Sequence, residues 1–110
     1  MDIVVKDTDG VKVVIVDGEL DTNAAPLAEK ELNQLMEQGA NKIILSGEKM
    51  DFISSTGLRV LLATAQRLKE SNGELRVCSL NEDVMDVFDI SGFSTILMVF
   101  KDESEALKGF

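Results

Sequence analysis

The chain has no histidine, one cysteine and one proline in 110 residues, and its five aromatic residues are all Phe. Each scarcity removes a class of function. Without an imidazole there is no ordinary general base for a serine or cysteine nucleophile, so hydrolase triads are out of reach. A Ser–Lys pair is formally open, but no lysine stands in a motif that would place it beside a serine. The lone Cys78 cannot form an internal disulfide. In the run LRVCSL it reads as a small buried hydrophobe, and a single thiol fits a reducing compartment. With so few aromatics, the core must be built from Val, Ile, Leu and Met. No apolar run approaches the ~20 residues needed to span a bilayer. The start, MDIVVKDTDG, lacks a basic region followed by a long apolar stretch, so no signal peptide is expected and a cytoplasmic protein is. Basic residues are also short: 11 Lys and Arg stand against 20 Asp and Glu, a net charge of −9. Such a chain repels phosphate backbones and anionic lipid, so neither nucleic acid nor membrane is an expected partner. An acidic face suits a basic protein partner, although the same charge also serves plain solubility.

What is present is a single domain's worth of alternating patterns, residues 1–110, with 45% apolar residues. IVVK (3–6) and VKVVIVD (11–17) are β-branched runs separated by DTDG, an Asp-Gly hairpin signal. GELDTN leads to a helix that Asn23 or Thr22 would cap, with Pro26 in its first turn and Gly39 at its end. KIIL (42–45) predicts a short buried strand. A second helix runs to about Ser71, followed by an Asn72-Gly73 turn and the strand ELRVCSL. Asn81 caps a third helix, EDVMDVFDI, which SGF terminates. TILMVF is a last strand, and Asp102 opens a C-terminal helix. The order β-β-α-β-α-β-α-β-α implies an α/β fold: a mixed, mostly parallel sheet with helices packed on it.

The stretch DFISSTGL (51–58) holds three consecutive hydroxyls, Ser54, Ser55 and Thr56. Leu58, Leu61, Leu62, Ala65 and Leu68 form the core stripe of the helix that follows. Ser55 is placed at or near its N-cap, where a serine contributes ~1 kcal/mol; one cap does not call for three hydroxyls. A helix N-terminus carries free amides and partial positive charge, and so accommodates phosphate. Gly57 removes a Cβ where something approaches the first turn closely. A phosphate could therefore be bound or covalently attached here. The GxxxxGK[ST] loop expected for binding is missing, since Gly47 and Lys49 are isolated. Acidic residues are abundant but scattered, without a calcium-loop pattern; no metal or other cofactor is expected, nor is catalysis. Thr56, Val60 and Ala63 form a second strip, flanked by Arg59 and Arg67. It suits either a neighbouring helix or a partner.

FISSTGLRVLL, with GELD upstream and SGF downstream, resembles the bacterial anti-sigma factor antagonists of the STAS-domain family, over nearly the whole chain. The resemblance implies the STAS fold and a non-enzymatic function in transcription regulation by partner switching. The unmodified antagonist binds an anti-sigma factor that is also a serine kinase, which frees the sigma factor. The kinase then phosphorylates the loop serine and the complex separates; a PP2C-type phosphatase resets the phosphoprotein. Motif alignment implies Ser55 as acceptor, with Asp21 of GELD near it. Asp21, Ser54, Thr56, Gly57 and Val60 are the implied partner-binding residues. Many members carry Asp where this chain has Ser54, and also where it has Ser46, which makes Ser54 a rival acceptor. Two other readings stay open: a STAS scaffold or nucleotide-sensing module of a signalling complex, and a receiver-like acceptor at Asp51.

Overall fold

The Asp9-Gly10 pair forms the hairpin turn, both residues having positive φ (53° and 84°). This left-handed pair matches the twist of two flanking strands, and glycine adopts it without strain. Asp7 clips the turn by accepting from the Gly10 amide at 3.1 Å and from Lys12 Nζ at 2.7 Å. In the computed structural model, which describes residues 1–110, the hairpin joins β1 (Asp2–Thr8) to β2 (Val11–Leu20). Then follow α1 (Ala25–Glu37), β3 (Lys42–Ser46), β4 (Met50–Ile53), α2 (Ser55–Glu70), β5 (Glu74–Cys78) and α3 (Glu82–Ser91). A 3-10 turn (Phe93–Thr95), β6 (Met98–Phe100) and α4 (Glu103–Leu107) complete the chain.

The sheet order is β1-β2-β3-β5-β6, with β4 also paired to β2. Only β1 is antiparallel to its neighbour; the other pairings are parallel. The expected α/β order therefore holds, with β4 added. Ten residues make β2 long enough to serve two neighbours: Lys12–Ile15 pair with β3, and Gly18–Leu20 pair with β4 across a register shift at Gly18/Glu19. The last strand is shorter than TILMVF suggests, because Phe93–Thr95 closes a 3-10 turn before it.

Both faces of the sheet are apolar because both are covered. Val14, Val16, Ile43, Leu45, Leu75 and Val77 face the larger core with Leu32, Leu61, Leu68 and Phe88. Val11, Val13, Ile44 and Cys78 face the smaller one, under Ala106 of α4. Arg76 holds that small helix down. This nearly buried guanidinium donates to the carbonyls of Ala106 (2.9 Å) and Lys108 (2.8 Å) and pairs with Glu74 at 2.7 Å. It also lies 4.1 Å from the ring centre of Phe110 and 5.3 Å from that of Phe100. An arginine can be buried here because its donors and its flat faces are all matched.

Candidate functional site

The site is assembled where β2 and β4 end side by side. Leu20, the last residue of β2, accepts the Ser54 amide through its carbonyl at 2.9 Å. That bond fixes the chain as it leaves β4 and enters α2. Ser54 has extended geometry, and its Oγ accepts the Gly57 amide at 3.1 Å while lying 3.4 Å from the Leu20 carbonyl as donor. Ser54 is thus the N-cap, and Ser55 is the first helical residue, one position later than the sequence reading placed it. The shift has a chemical consequence. The Ser54 hydroxyl is half-buried and used on both its donor and acceptor sides. The Ser55 hydroxyl is exposed and has no partner within the protein. The amides of Ser55 and Thr56 lack intrahelical acceptors, as at any helix start.

Gly57 is buried, and the neighbour that demands a glycine there is internal. A Cβ at this position would sit 2.7 Å from the Leu20 carbonyl oxygen and 3.0 Å from Ile53 Cγ1. Asp21 is half-buried in the loop that follows β2. Its Oδ1 accepts the Ala24 amide at 2.9 Å and its carbonyl accepts the Ala25 amide at 2.9 Å. The start of α1 is therefore held by Asp21, and neither Asn23 nor Thr22 caps it. Thr22 instead reaches across: its hydroxyl lies 3.4 Å from that of Thr56, joining the β2–α1 loop to the first turn of α2. A third loop joins them where Asn81 donates to the Met50 carbonyl at 3.1 Å while capping α3 through the Val84 amide at 2.8 Å.

Val60 departs from the expected outer strip. It is 6% exposed and belongs to the larger core. With α1 packed against α2, the buried face of α2 takes in Val60 and Thr64, so a partner could reach Thr56 and Ala63 but not Val60. Thr64 tolerates burial by returning its hydroxyl to the Val60 carbonyl at 2.8 Å. Phe52, one residue from the hydroxyl run, is 46% exposed beside Asp51 and opposite Glu19. Nothing in its spacing singled it out, because β4 itself was not anticipated. Asp51 lies on this edge strand, and no group of three or more acidic or thiol side chains converges as a metal site. No helix is long and apolar enough to cross a membrane.

The STAS domain family model matches residues 2–106. BtrV of Bordetella bronchiseptica, named as an anti-sigma factor antagonist, is 35% identical over 93% of this chain and 88% of its own. The anti-sigma-B factor antagonist of Bacillus subtilis is 34% identical over 76% of each chain. Among solved structures, the anti-sigma factor antagonist SpoIIAA in its unphosphorylated form superposes with a TM-score of 0.82 at 26% identity, covering 96% of this chain and 93% of that one. Its phosphorylated form superposes with a TM-score of 0.74 at 25% identity, covering 96% of each. The match along the chain, and the junction of β4 with α2 at its centre, place this protein in the STAS-domain family, among the anti-sigma factor antagonists.

Proposed function

We propose that this protein binds an anti-sigma factor through the surface around Ser55 and Asp21, and that phosphorylation of Ser55 by that partner's serine kinase activity ends the interaction. A PP2C-type phosphatase would restore the binding form. The observation that carries the choice of acceptor is the division of labour between neighbouring serines: Ser54 is committed to the cap, while Ser55 offers a free, exposed hydroxyl. That one relative has been solved in both phosphorylated and unphosphorylated forms supports the same reading.

The physics favours a switch that spares the fold. A phosphoserine adds about −1.5 to −2 charges. At the first residue of a helix that charge is favourable, by roughly 0.3–1 kcal/mol. At an interface it is costly, because a hydrated dianion must be desolvated or matched by a cation. Converting nearly all bound to nearly all free requires about 5.5 kcal/mol of differential affinity; steric exclusion and an unmatched phosphate together are of that order. The partner brings nucleotide, Mg²⁺ and any base, so the absence of histidine is no obstacle. The test is incubation with the cognate kinase and ATP, with the phosphosite located by mass spectrometry. Ser55→Ala should abolish modification and Ser54→Ala should not. Full-rate labelling of Ser55→Ala would refute the assignment, and undiminished binding by Ser55→Asp would refute the charge mechanism.

A further inference from the structure

The outer edge of β1 is open along all seven residues, Asp2–Thr8, while the inner edge pairs with β2 throughout. An edge of that length presents a row of unpaired amides and carbonyls. In a two-residue hairpin the closing pair, Thr8 and Val11, exchanges both hydrogen bonds, so by alternation the polar groups of Ile3, Val5 and Asp7 face outward. The side chains alternate as well. Ile3 and Val5 lie on the face of the larger core, and Asp2, Val4 and Lys6 lie on the α4 face. Val4 is 55% exposed and Val5 38%.

We propose that this edge pairs with β1 of a second copy, antiparallel, about a two-fold axis at Val4. In that register Asp2 meets Lys6 of the second copy, Ile3 meets its Val5, and Val4 meets its Val4. Both Asp–Lys pairs lie on one face and both Ile–Val pairs on the other. Moving the axis to the bond between Val4 and Val5 would match residues whose side chains point to opposite faces, such as Asp2 with Asp7, so that register gives no shared face. Moving it to Val5 sets Ile3 against Asp7 and Val4 against Lys6. The charges that would blunt this edge against other strands are thus complementary to themselves in one register. Lys6 is already held at 2.9 Å by Glu103 of α4, and its three donors leave room for a second carboxylate. The −9 charge of each chain opposes association, and five paired residues make a small interface, so the dimer is weak. The axis stands normal to the sheet and reverses the strand direction, so the two Ser55 loops, each at the Leu20 end of β2, point to opposite ends of the seam and both stay accessible.

Sedimentation equilibrium of the full chain from about 10 µM to 1 mM, the range expected of a weak dimer, tests the proposal. The average mass should climb toward the dimer value, and amides of Ile3 and Val5 should gain exchange protection as concentration rises. Lys6→Asp should weaken association at least about tenfold, since two attractive pairs become repulsive, and the swap Asp2→Lys with Lys6→Asp should restore it. Val4→Cys should form a covalent dimer under oxidation, with the buried Cys78 taking no part. A wild type that stays monomeric, a Lys6→Asp variant that dimerises undiminished, or a folded swap variant that fails to recover would each overturn it. Because the exchange measurement uses wild type alone, it decides the matter even if a variant does not fold.

Discussion

Gly57→Ala isolates the contact on which the site is built. On an open helix face alanine is better than glycine by up to ~1 kcal/mol. At Gly57 the added methyl would meet the Leu20 carbonyl oxygen at 2.7 Å, Leu20 Cγ at 2.9 Å and Ile53 Cγ1 at 3.0 Å. None of these can yield cheaply. The carbonyl already accepts the Ser54 amide, and both side chains are at most 2% exposed. Relief requires the first turn of α2 to lift by roughly half an ångström, stretching the Ser54 bonds. Overpacking of this kind costs about 1–3 kcal/mol, so after the helix-propensity gain a net loss of about 1–2 kcal/mol is expected. For a chain of 110 residues that lowers Tm by roughly 4–8 °C. Ala63→Gly, on the exposed side of the same helix, supplies the control: there alanine should be preferred by about 1 kcal/mol. Differential scanning calorimetry of both variants, with hydrogen exchange at Ser55–Leu58, measures the effect. A Gly57→Ala protein as stable as wild type, or more so, would refute the packing argument and return Gly57 to a role at an interface.

Ser54→Ala should cost about 1 kcal/mol through loss of the cap, while Ser55→Ala should lie within about 0.5 kcal/mol of wild type; chemical denaturation separates them. Arg76→Ala should destabilise by about 3 kcal/mol, because the carbonyls of Ala106 and Lys108 lose a charged donor. Arg76→Lys should recover little of it, since an ammonium cannot reproduce the fork between Phe100 and Phe110; hydrogen exchange across residues 103–110 should report the loosened helix. Burial pushes the Cys78 thiol above its ordinary range. A raised pKa means the folded state holds the proton more tightly, so the stability associated with it is complete below the unfolded thiol value and is lost as pH rises beyond it. Stability should therefore decline above about pH 8.5, less steeply in Cys78→Ala, and the thiol should resist alkylation until the protein unfolds.

The hairpin shows how far local chemistry reaches. Asp9-Gly10 between two β-branched runs leaves one economical conformation, and the structure has it. The same holds for Asn81 at the start of α3, for Asp102 at the start of α4 and for the glycine that ends α3. Periodicity identified Leu58, Leu61 and Leu68 as core residues of α2, because 3.6-residue spacing is a property of the helix itself. It did less well with Leu62, Ala65 and Val60. Those positions flank the stripe, and which of them is covered depends on the side from which α1 approaches.

The remaining surprises share that origin. β4 is four residues long, with Asp51 and Phe52 exposed, so it carries no strand signature of its own. It exists because β2 runs past β3 and leaves Gly18–Leu20 with unpaired backbone. Of three adjacent hydroxyls, the local pattern points to Ser55 as the cap; the Leu20 carbonyl, 34 residues away in sequence from Ser54, gives that role to Ser54 instead. Arg76 stands in an otherwise apolar strand and is accommodated only because α4 and the residues after it bring three carbonyls and Phe110 to it while β6 brings Phe100. The sequence by itself determined the order of the elements other than β4, the turns, the caps of α3 and α4 and the family motif, since these rest on backbone preferences and on contacts within a few residues. Tertiary structure alone decided which serine is free, which glycine is obligatory and which face of α2 is open, because each of those depends on atoms brought together from distant parts of the chain.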